Sequence, residues 1–582
     1  MKKGFILYLY CLVSCVIYAQ IPVIRLVATD FRGGGLTPAF SLHYEKYDVN
    51  AIYPLSTGDK SKMTANFLLE NELCKPKLQL EAHANSETDI QACIEIKVNG
   101  KSIYEGTPQL DKYKWDICEI DIPEGILQIG DNEIELSNKM EKELPGNSNP
   151  WLMINCVAIG EENFDIWETK NIFKNFHVTL PEKKQSFFAD SNSFKGFKLR
   201  GLKGWNWTPE QTLEEIPQMR AMQLNFFMNC YTSMFDYPNY NEWWVPFDDE
   251  FKADYEKIVH SCKENGIEFC FALNPNFIAE KAFDYDNKKH VEILWKHYKW
   301  MANLGVNWFS VCLDDIGKGL DASGQARFVN LLLKRLRKIN PNAQMILCPS
   351  IYASSYIVGG VDNDQYLKTL ACELNPDVYC FWTGDYFCGP ISTEKAIQMK
   401  NLLKHRLIIW DNYPVNDGAQ SMNLGPVVLR DASLVDVCDG YMANPMRTQN
   451  QIGRIPVYTC AEFAWNPGAY DPMKSIGQAI LHQCETREQA EILKELVDVY
   501  YGFLLDQSKD YWYVRNTARS TFEKLTALSH SKAVAVLFVE HLEVILDKLV
   551  KAFPNKYQAE KETVKIDLDW MKRELKVRYP EY

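Results

Sequence analysis

No pair of cysteines in this 582-residue chain has the C-x-x-C spacing of structural zinc sites and redox loops. Of its 17 cysteines, Cys11 and Cys15 sit in the N-terminal segment, which leaves an odd number, so a disulfide framework is not indicated. Cys230, Cys270, Cys312, Cys348 and Cys380 fall in apolar, strand-like runs, where a thiol packs as a small hydrophobe. Basic runs are also missing. With 63 Lys and Arg against 76 Asp and Glu, the net charge is −13, and no surface for nucleic acid is expected. No glycine loop of the phosphate-cradling kind precedes a helix. The ten histidines are scattered without H-x-x-x-H spacing, so neither a metal nor another cofactor is expected. Past the N-terminus no run reaches the roughly 20 apolar residues of a spanning helix, and no transmembrane helix is expected.

What is present is the composition of an ordinary globular protein, 46% apolar and 24% charged, long enough for about two to four domains. Aromatic content is 13%, with 15 Trp and 30 Tyr. Aromatic faces stack on pyranose rings, but a large aromatic core would give the same composition, and composition alone leaves both open. At the N-terminus Lys2 and Lys3 precede a short apolar run, Gly4 to Tyr18, that reads as an export signal. Cleavage after Ala19 would leave Gln20 at the mature end, giving a secreted or periplasmic protein. The alternative is a lipobox, Leu12-Val13-Ser14-Cys15, with a lipid anchor on Cys15 and a cell-surface location.

Residues 20–170 read as a β-sandwich of galactose-binding-like, jelly-roll type. Alternating stretches Lys77 to Ala82, Ala92 to Val98 and Asp116 to Ile122 are separated by turn signals such as Asn99-Gly100 and Gly130-Asp131-Asn132. Such a domain could be a spacer or a lectin. A polar connection covers 171–195. Over residues 190–480 apolar runs alternate with amphipathic stretches. The runs are Phe197–Trp205, Asn225–Tyr231, Glu268–Asn274, Trp308–Asp315, Gln344–Ser350, Asp377–Gly384, Arg406–Asn412 and Gly440–Asn444. Helical patterns such as Phe251–Asn265, Val291–Leu304 and Ala326–Ile339 lie between them. Eight strands separated by helices predict an α/β fold closed as a (β/α)8, TIM-like barrel, with its active site at the strand C-termini. Residues 485–582 read as a helical C-terminal region, through Arg487–Leu505, Ala518–Ser529 and Ala533–Lys551.

The strongest local feature is WFSVCLDDIG, Trp308 to Gly317, an apolar strand ending in Asp314 and Asp315. Two adjacent carboxylates at low dielectric cannot both ionise freely, so one is expected to hold its proton and serve as an acid. Such a pair also fits a helix N-cap beside a surface aspartate. Successive strand residues face opposite ways, so the backbone must leave strand geometry here if both carboxylates enter one pocket.

Further motifs follow in order: CPSIY (Cys348–Tyr352), FWTGD (Phe381–Asp385), WDNYPVND (Trp410–Asp417), LGP (Leu424–Pro426), ANPM (Ala443–Met446) and FAWNPGAYD (Phe463–Asp471). They are expected at strand ends. With LDDIG they resemble the catalytic domain of glycoside hydrolase family 84, the bacterial hyaluronidase and O-GlcNAcase type of β-N-acetylglucosaminidase, from about Gly201 to Asp471. The resemblance implies retaining, substrate-assisted hydrolysis, an exception to the usual nucleophile-plus-acid pair. It implies that Asp314 orients the substrate's acetamido N–H and that Asp315 is general acid, then base. Tyr352 would bond near the acetamido group, with Thr383 and Trp410 lining its pocket. Asn412, Asp417 and Asn444 would hold sugar hydroxyls, and Gly201 matches a glycine at the first strand end.

Two departures bear on specificity. The family's G-P-K-D-D-P stretch after the second strand reads YTSMFDYP, Tyr231 to Pro238, with no lysine between Lys203 and Lys252. The usual G-F-Y-G-T-P-W opening reads GLKGWNW, Gly201 to Trp207, with Arg200 where an acidic residue is common. Both are expected on the substrate side. Three readings follow for a protein acting on a glycan or glycoprotein. One is an exo-acting β-N-acetylglucosaminidase, and another the same barrel with N-acetylgalactosamine or internal-linkage specificity. The third is a non-catalytic binder of a chitobiose-like glycan, against which two clustered carboxylates argue, since a lectin gains little from burying them. Oligomeric state is not legible.

Overall fold

The computed structural model describes residues 24–579 except 42–45, 70–71, 87, 112–114, 142–148, 162–177, 186–187, 189–192, 236–238, 317–319, 358–360, 417–421, 504–514, 517 and 527–531. The export signal, the Cys15 lipobox and Asp417 therefore lie outside the described residues. The chain divides into two compact units, one of residues 1–37 and 48–172, the other of 38–47 and 173–582. Among the described residues no helix is long and apolar enough to cross a membrane.

The first unit is antiparallel β. Leu152–Gly160, buried along its whole length, pairs with Lys77–Ala84, which pairs in turn with Asp116–Asp121. A second sheet orders Arg32–Gly33, Lys62–Leu69, Gly130–Asn138, Ile94–Val98 and Lys101–Gly106. Alternate residues of both sheets, among them Leu78, Leu80, Ile94, Ile96, Ile134 and Leu136, share one core. The Asn99-Gly100 pair makes the expected hairpin turn, with φ of 51° and 74°. Gly130-Asp131-Asn132 does not form the expected turn. These residues open a strand whose ladder runs from Gly130↔Leu69 onward, and the Asn132 amide bonds back to the carbonyls of Gln128 and Gly130. The turn chemistry is satisfied from inside the strand.

The second unit is a closed parallel barrel in sequential order. Its strands are β1 (Leu199–Gly204), β2 (Phe226–Asn229), β3 (Glu268–Leu273), β4 (Trp308–Cys312), β5 (Gln344–Cys348), β6 (Tyr379–Trp382), β7 (Arg406–Pro414) and β8 (Gly440–Asn444). The helices following β1 to β6 are α1 (Pro209–Ala221), α2 (Asp249–Glu264), α3 (Lys288–Asn303), α4 (Ala322–Ile339), α5 (Val361–Glu373) and α6 (Thr393–Leu403). Between β7 and β8 the described residues hold a 3-10 turn, Ala432–Asp436, in place of an α-helix. After β8 comes α7 (Asn450–Trp465). Alternation along each strand fills the barrel with Phe226 and Met228, Cys270 and Ala272, Trp308 and Cys312, Ile346 and Cys348, Phe381, Ile408 and Trp410. The thiols among them are buried packing groups.

The helices α8 (Pro472–His482), α9 (Arg487–Val499), α10 (Ala518–Thr526), α11 (Lys532–Ala552) and α12 (Gln558–Arg578) belong to the same unit. α12 is tied to α7 where Glu560 accepts the Ile452 N–H at 3.0 Å and Gln449 donates to Thr563 at 2.8 Å. α9 ends at Val499, short of the expected Leu505. Gly502 follows at φ 88°, and Gly502–Phe503 pairs with Arg515–Asn516.

Candidate active site

The C-terminal mouth of the barrel gathers side chains from all eight strands. β4 stops at Cys312, although the Leu313 N–H still donates to the Cys348 carbonyl at 2.9 Å. Asp315 then takes φ 55°, left-handed for a residue with a Cβ, a strained state that surroundings must hold. This is the departure from strand geometry that the adjacent carboxylates require. The helix-cap alternative does not apply, because α4 is capped by Asp321, which accepts the Gly324 N–H at 2.8 Å.

The two carboxylates occupy different surroundings. Asp314 is 7% exposed; Asp315 is exposed. The Tyr231 hydroxyl, just past β2, donates to Asp314 Oδ2 at 2.6 Å, and the Asn274 amide, just past β3, donates to the Asp314 carbonyl at 3.0 Å. Asp314 Oδ1 is buried without a partner among the described residues. Burial, and secondarily the neighbouring Asp315, push the Asp314 carboxyl up to about 6, opposed by Lys203 and the Tyr231 hydrogen bond. The raised carboxyl is therefore not the one expected to serve as the acid but the one that the resemblance assigns to the acetamido N–H. On the other side, the Tyr352 hydroxyl donates to Asp315 Oδ1 at 2.8 Å and lies 3.2 Å from that of Tyr356.

The remaining expected residues fall into three groups. Trp410 is buried in the mouth, and its indole N–H donates to Asn412 Oδ1 at 3.1 Å. Asn444 donates to the same oxygen at 2.9 Å, and its own Oδ1 is buried without a partner among the described residues. These three form one connected edge of the site. Thr383 is buried, with its hydroxyl bonded to the carbonyls of Tyr386 at 3.0 Å and Tyr352 at 3.3 Å, so it ties the β5 and β6 loops together. Gly201 lies inside β1, where an added Cβ would come 2.2 Å from the Phe226 carbonyl oxygen; close strand packing explains the glycine.

Arg200 does not face the substrate side. It bonds to the carbonyls of Gln223 and Phe197 and stacks on Phe194 and Trp465, because strand alternation sends Gly201 and Lys203 inward and Arg200 outward. FAWNPGAYD is likewise not at a strand C-terminus. It is the end of α7 and the turn after it, where the Ala464 carbonyl accepts the Phe197 N–H just before β1, at the opposite end of the barrel. LGP lies in the loop after β7, with Leu424 and Gly425 bonded to the carbonyls of Tyr500 and Tyr501.

Sequence reasoning missed Tyr231, Asn274, Tyr356 and Lys203. Lys203 is 2% exposed, with its ammonium 4.1 Å from the Trp410 ring centre, 4.9 Å from Trp205 and 5.1 Å from Tyr231. Its signal was present in GLKGWNW, as an inward strand position two residues after Gly201 carrying a charge.

A family model described as β-N-acetylglucosaminidase matches residues 199–498, half the chain, beginning at β1 and ending in α9. Among solved structures the chain is similar to CpGH84B, with 21% identity, TM-score 0.50, and 72% of this chain and 69% of that one covered. It is similar also to a mutant O-GlcNAc hydrolase of Thermobaculum terrenum, with 21% identity, TM-score 0.50, and 66% and 84% covered. At that identity the likenesses speak for the fold, while the family match spans the whole barrel, carboxylate pair included. The chain belongs to glycoside hydrolase family 84, the β-N-acetylglucosaminidases, and is a glycosidase built on a TIM-like barrel.

Proposed function

We propose that the protein is an exported β-N-acetylhexosaminidase that releases β-linked N-acetylglucosamine from a glycan or glycoprotein with retention of configuration, using the substrate's own acetamido group. The observation that carries this reading is the asymmetry of the carboxylate pair: a buried, hydrogen-bonded Asp314 beside an exposed Asp315 held by Tyr352. The acetamido oxygen attacks the anomeric carbon as the C1–O bond breaks, and Asp315 gives its proton to the departing oxygen. Asp314, ionised, accepts the acetamido N–H and favours the positive charge that develops on the oxazolinium ring. Asp315, now a carboxylate, takes a proton from water, which opens the ring at C1 from the face that the leaving group vacated.

Trp410 and Tyr352 offer walls for the acetamido methyl, and the Asn412–Asn444 edge offers amides to sugar hydroxyls, as does Asp417 by its place in WDNYPVND. Export rests on Lys2, Lys3 and the apolar run to Tyr18, with lipidation at Cys15 as the cell-surface alternative. A second reading keeps the chemistry but takes a galacto-configured sugar, because GLKGWNW and YTSMFDYP alter the mouth at β1 and β2.

The test is release of aryl alcohol from aryl 2-acetamido-2-deoxy-β-D-glucoside by wild type, Asp314→Asn and Asp315→Asn. Turnover by wild type with a loss of about 10²-fold or more in each variant supports the roles. Turnover only of the galacto isomer selects the second reading. Inertness on both, with a chitobiose-like ligand bound, would make the protein a lectin.

A further inference from the structure

Lys203 stands on β1 with its side chain inside the barrel mouth, and 2% of the residue is exposed. Among the described residues its ammonium has no hydrogen-bond acceptor and no ion pair, although Asp314 is near enough to feel its charge. It is surrounded instead by the rings of Trp410, Trp205 and Tyr231. Contacts of that kind recover only part of the cost of burying an ammonium, whose three donors need oxygen acceptors. Asp314 Oδ1 and Asn444 Oδ1, both buried and without partners among the described residues, share the mouth with it. Among the described residues, one unpaired cation and two unpaired acceptors at a barrel mouth that also holds Trp410 form an incomplete hydrogen-bond set, which a ligand rich in hydroxyl groups would complete.

We propose that Lys203 is a substrate-binding residue of this site: its ammonium, held over Trp410, donates to a ring hydroxyl of the bound sugar and so determines which hydroxyl pattern is accepted. The inference rests on the function proposed above. Its charge has a second effect, on the protonation of Asp314. The groups facing Asp314 are Asp315 beside it, Lys203 from β1, Tyr231 after β2, and the buried thiols of Cys312 on β4 and Cys348 on β5. Among the described residues Lys203 is the only cation of that set, and removing it leaves Asp314 more readily protonated.

The experiment compares wild type, Lys203→Met and Lys203→Gln on aryl 2-acetamido-2-deoxy-β-D-glucoside and on its 3-, 4- and 6-deoxy analogues, with full pH profiles. Methionine matches the stem and removes a buried charge, so folding is expected to survive; glutamine keeps a donor if it does not. The expected result is a loss of about 10²-fold in kcat/KM for Lys203→Met on the parent sugar. On one deoxy analogue the same substitution costs little, because the hydroxyl that it served is already absent. The acid limb of the profile also moves to higher pH. Equal losses on all four sugars with an unmoved acid limb would overturn the proposal and leave Lys203 as packing.

If wild type turns over none of them, the functional reading fails separately. Binding of N-acetylglucosamine, followed by tryptophan fluorescence, then decides on Lys203. Weaker binding by Lys203→Met sustains the proposal; unchanged binding, or none by wild type, overturns it.

Discussion

Tyr231 and Asp314 are joined by a 2.6 Å hydrogen bond between the loop after β2 and the end of β4, with the phenol as donor. That bond is made to the ionised form of a carboxyl that burial pushes the other way, so the tyrosine helps keep Asp314 deprotonated near neutrality. Tyr231→Phe is expected to lower kcat/KM by about tenfold or more and to move the acid limb of the pH profile upward by about one unit. An unmoved limb in a folded variant would show that the phenol contributes only packing.

The acid limb itself follows from Asp314. With its carboxyl raised to about 6 and its carboxylate form required by the proposed mechanism, kcat/KM should fall as pH drops through about 6. Stability runs in the opposite sense. A folded-state value above the unfolded one means that the native state holds the proton more tightly. The favourable contribution is therefore complete below about 4 and is lost as pH rises through about 6. Asp314→Asn should be more stable than wild type at pH 8 by up to about 3 kcal/mol, a gap that closes on acidification. Urea titrations at three pH values measure it.

The Asp315 role predicts a leaving-group effect. Asp315→Asn should lose about 10²–10⁴-fold on substrates with poorly departing alcohols. On a dinitrophenyl glycoside, whose departure needs little protonation, the loss should shrink. A uniform loss across leaving groups would count against Asp315 as the acid.

Gly201→Ala tests the barrel wall. The new Cβ would come 2.2 Å from the Phe226 carbonyl oxygen, which is backbone and cannot swing aside, so β1 and β2 must separate. Destabilisation of at least about 1–3 kcal/mol is expected. Loss of activity at full stability would instead point to a direct role at the sugar.

A buried ion pair holds β7. Arg430 bonds both oxygens of Asp411, at 2.8 and 2.6 Å, and Tyr441 donates to the same carboxylate at 2.6 Å. Arg430→Met strands a buried charge and should cost about 3–5 kcal/mol by thermal or urea unfolding. Replacing Arg430 and Asp411 together by apolar residues should recover part of that.

The barrel was legible because its strands are buried on both faces and read as apolar runs, and because the polar punctuation after each run is where sites are built. The carboxylate pair was legible for the same reason: Asp314 and Asp315 interrupt an apolar strand. FAWNPGAYD misled, since a helix end rich in aromatics and turn residues has the local composition of a strand-end loop. Arg200 misled because residues one apart on a strand point to opposite faces, and its facing depends on which neighbour enters the barrel.

Residue types and their order along the chain determined the fold class and placed the adjacent carboxylates Asp314 and Asp315 at the end of a barrel strand. Tertiary structure alone decided how the two carboxylates divide, because burial and hydrogen-bond partners come from other strands. Tyr231 reaches Asp314 from 83 positions away and Tyr352 reaches Asp315 from 37. It alone also placed Lys203 over Trp410, more than 200 positions along the chain. Closure of the barrel sets β1 beside β8, next to β7, and so puts a buried charge where the linear sequence shows only a lysine near a glycine.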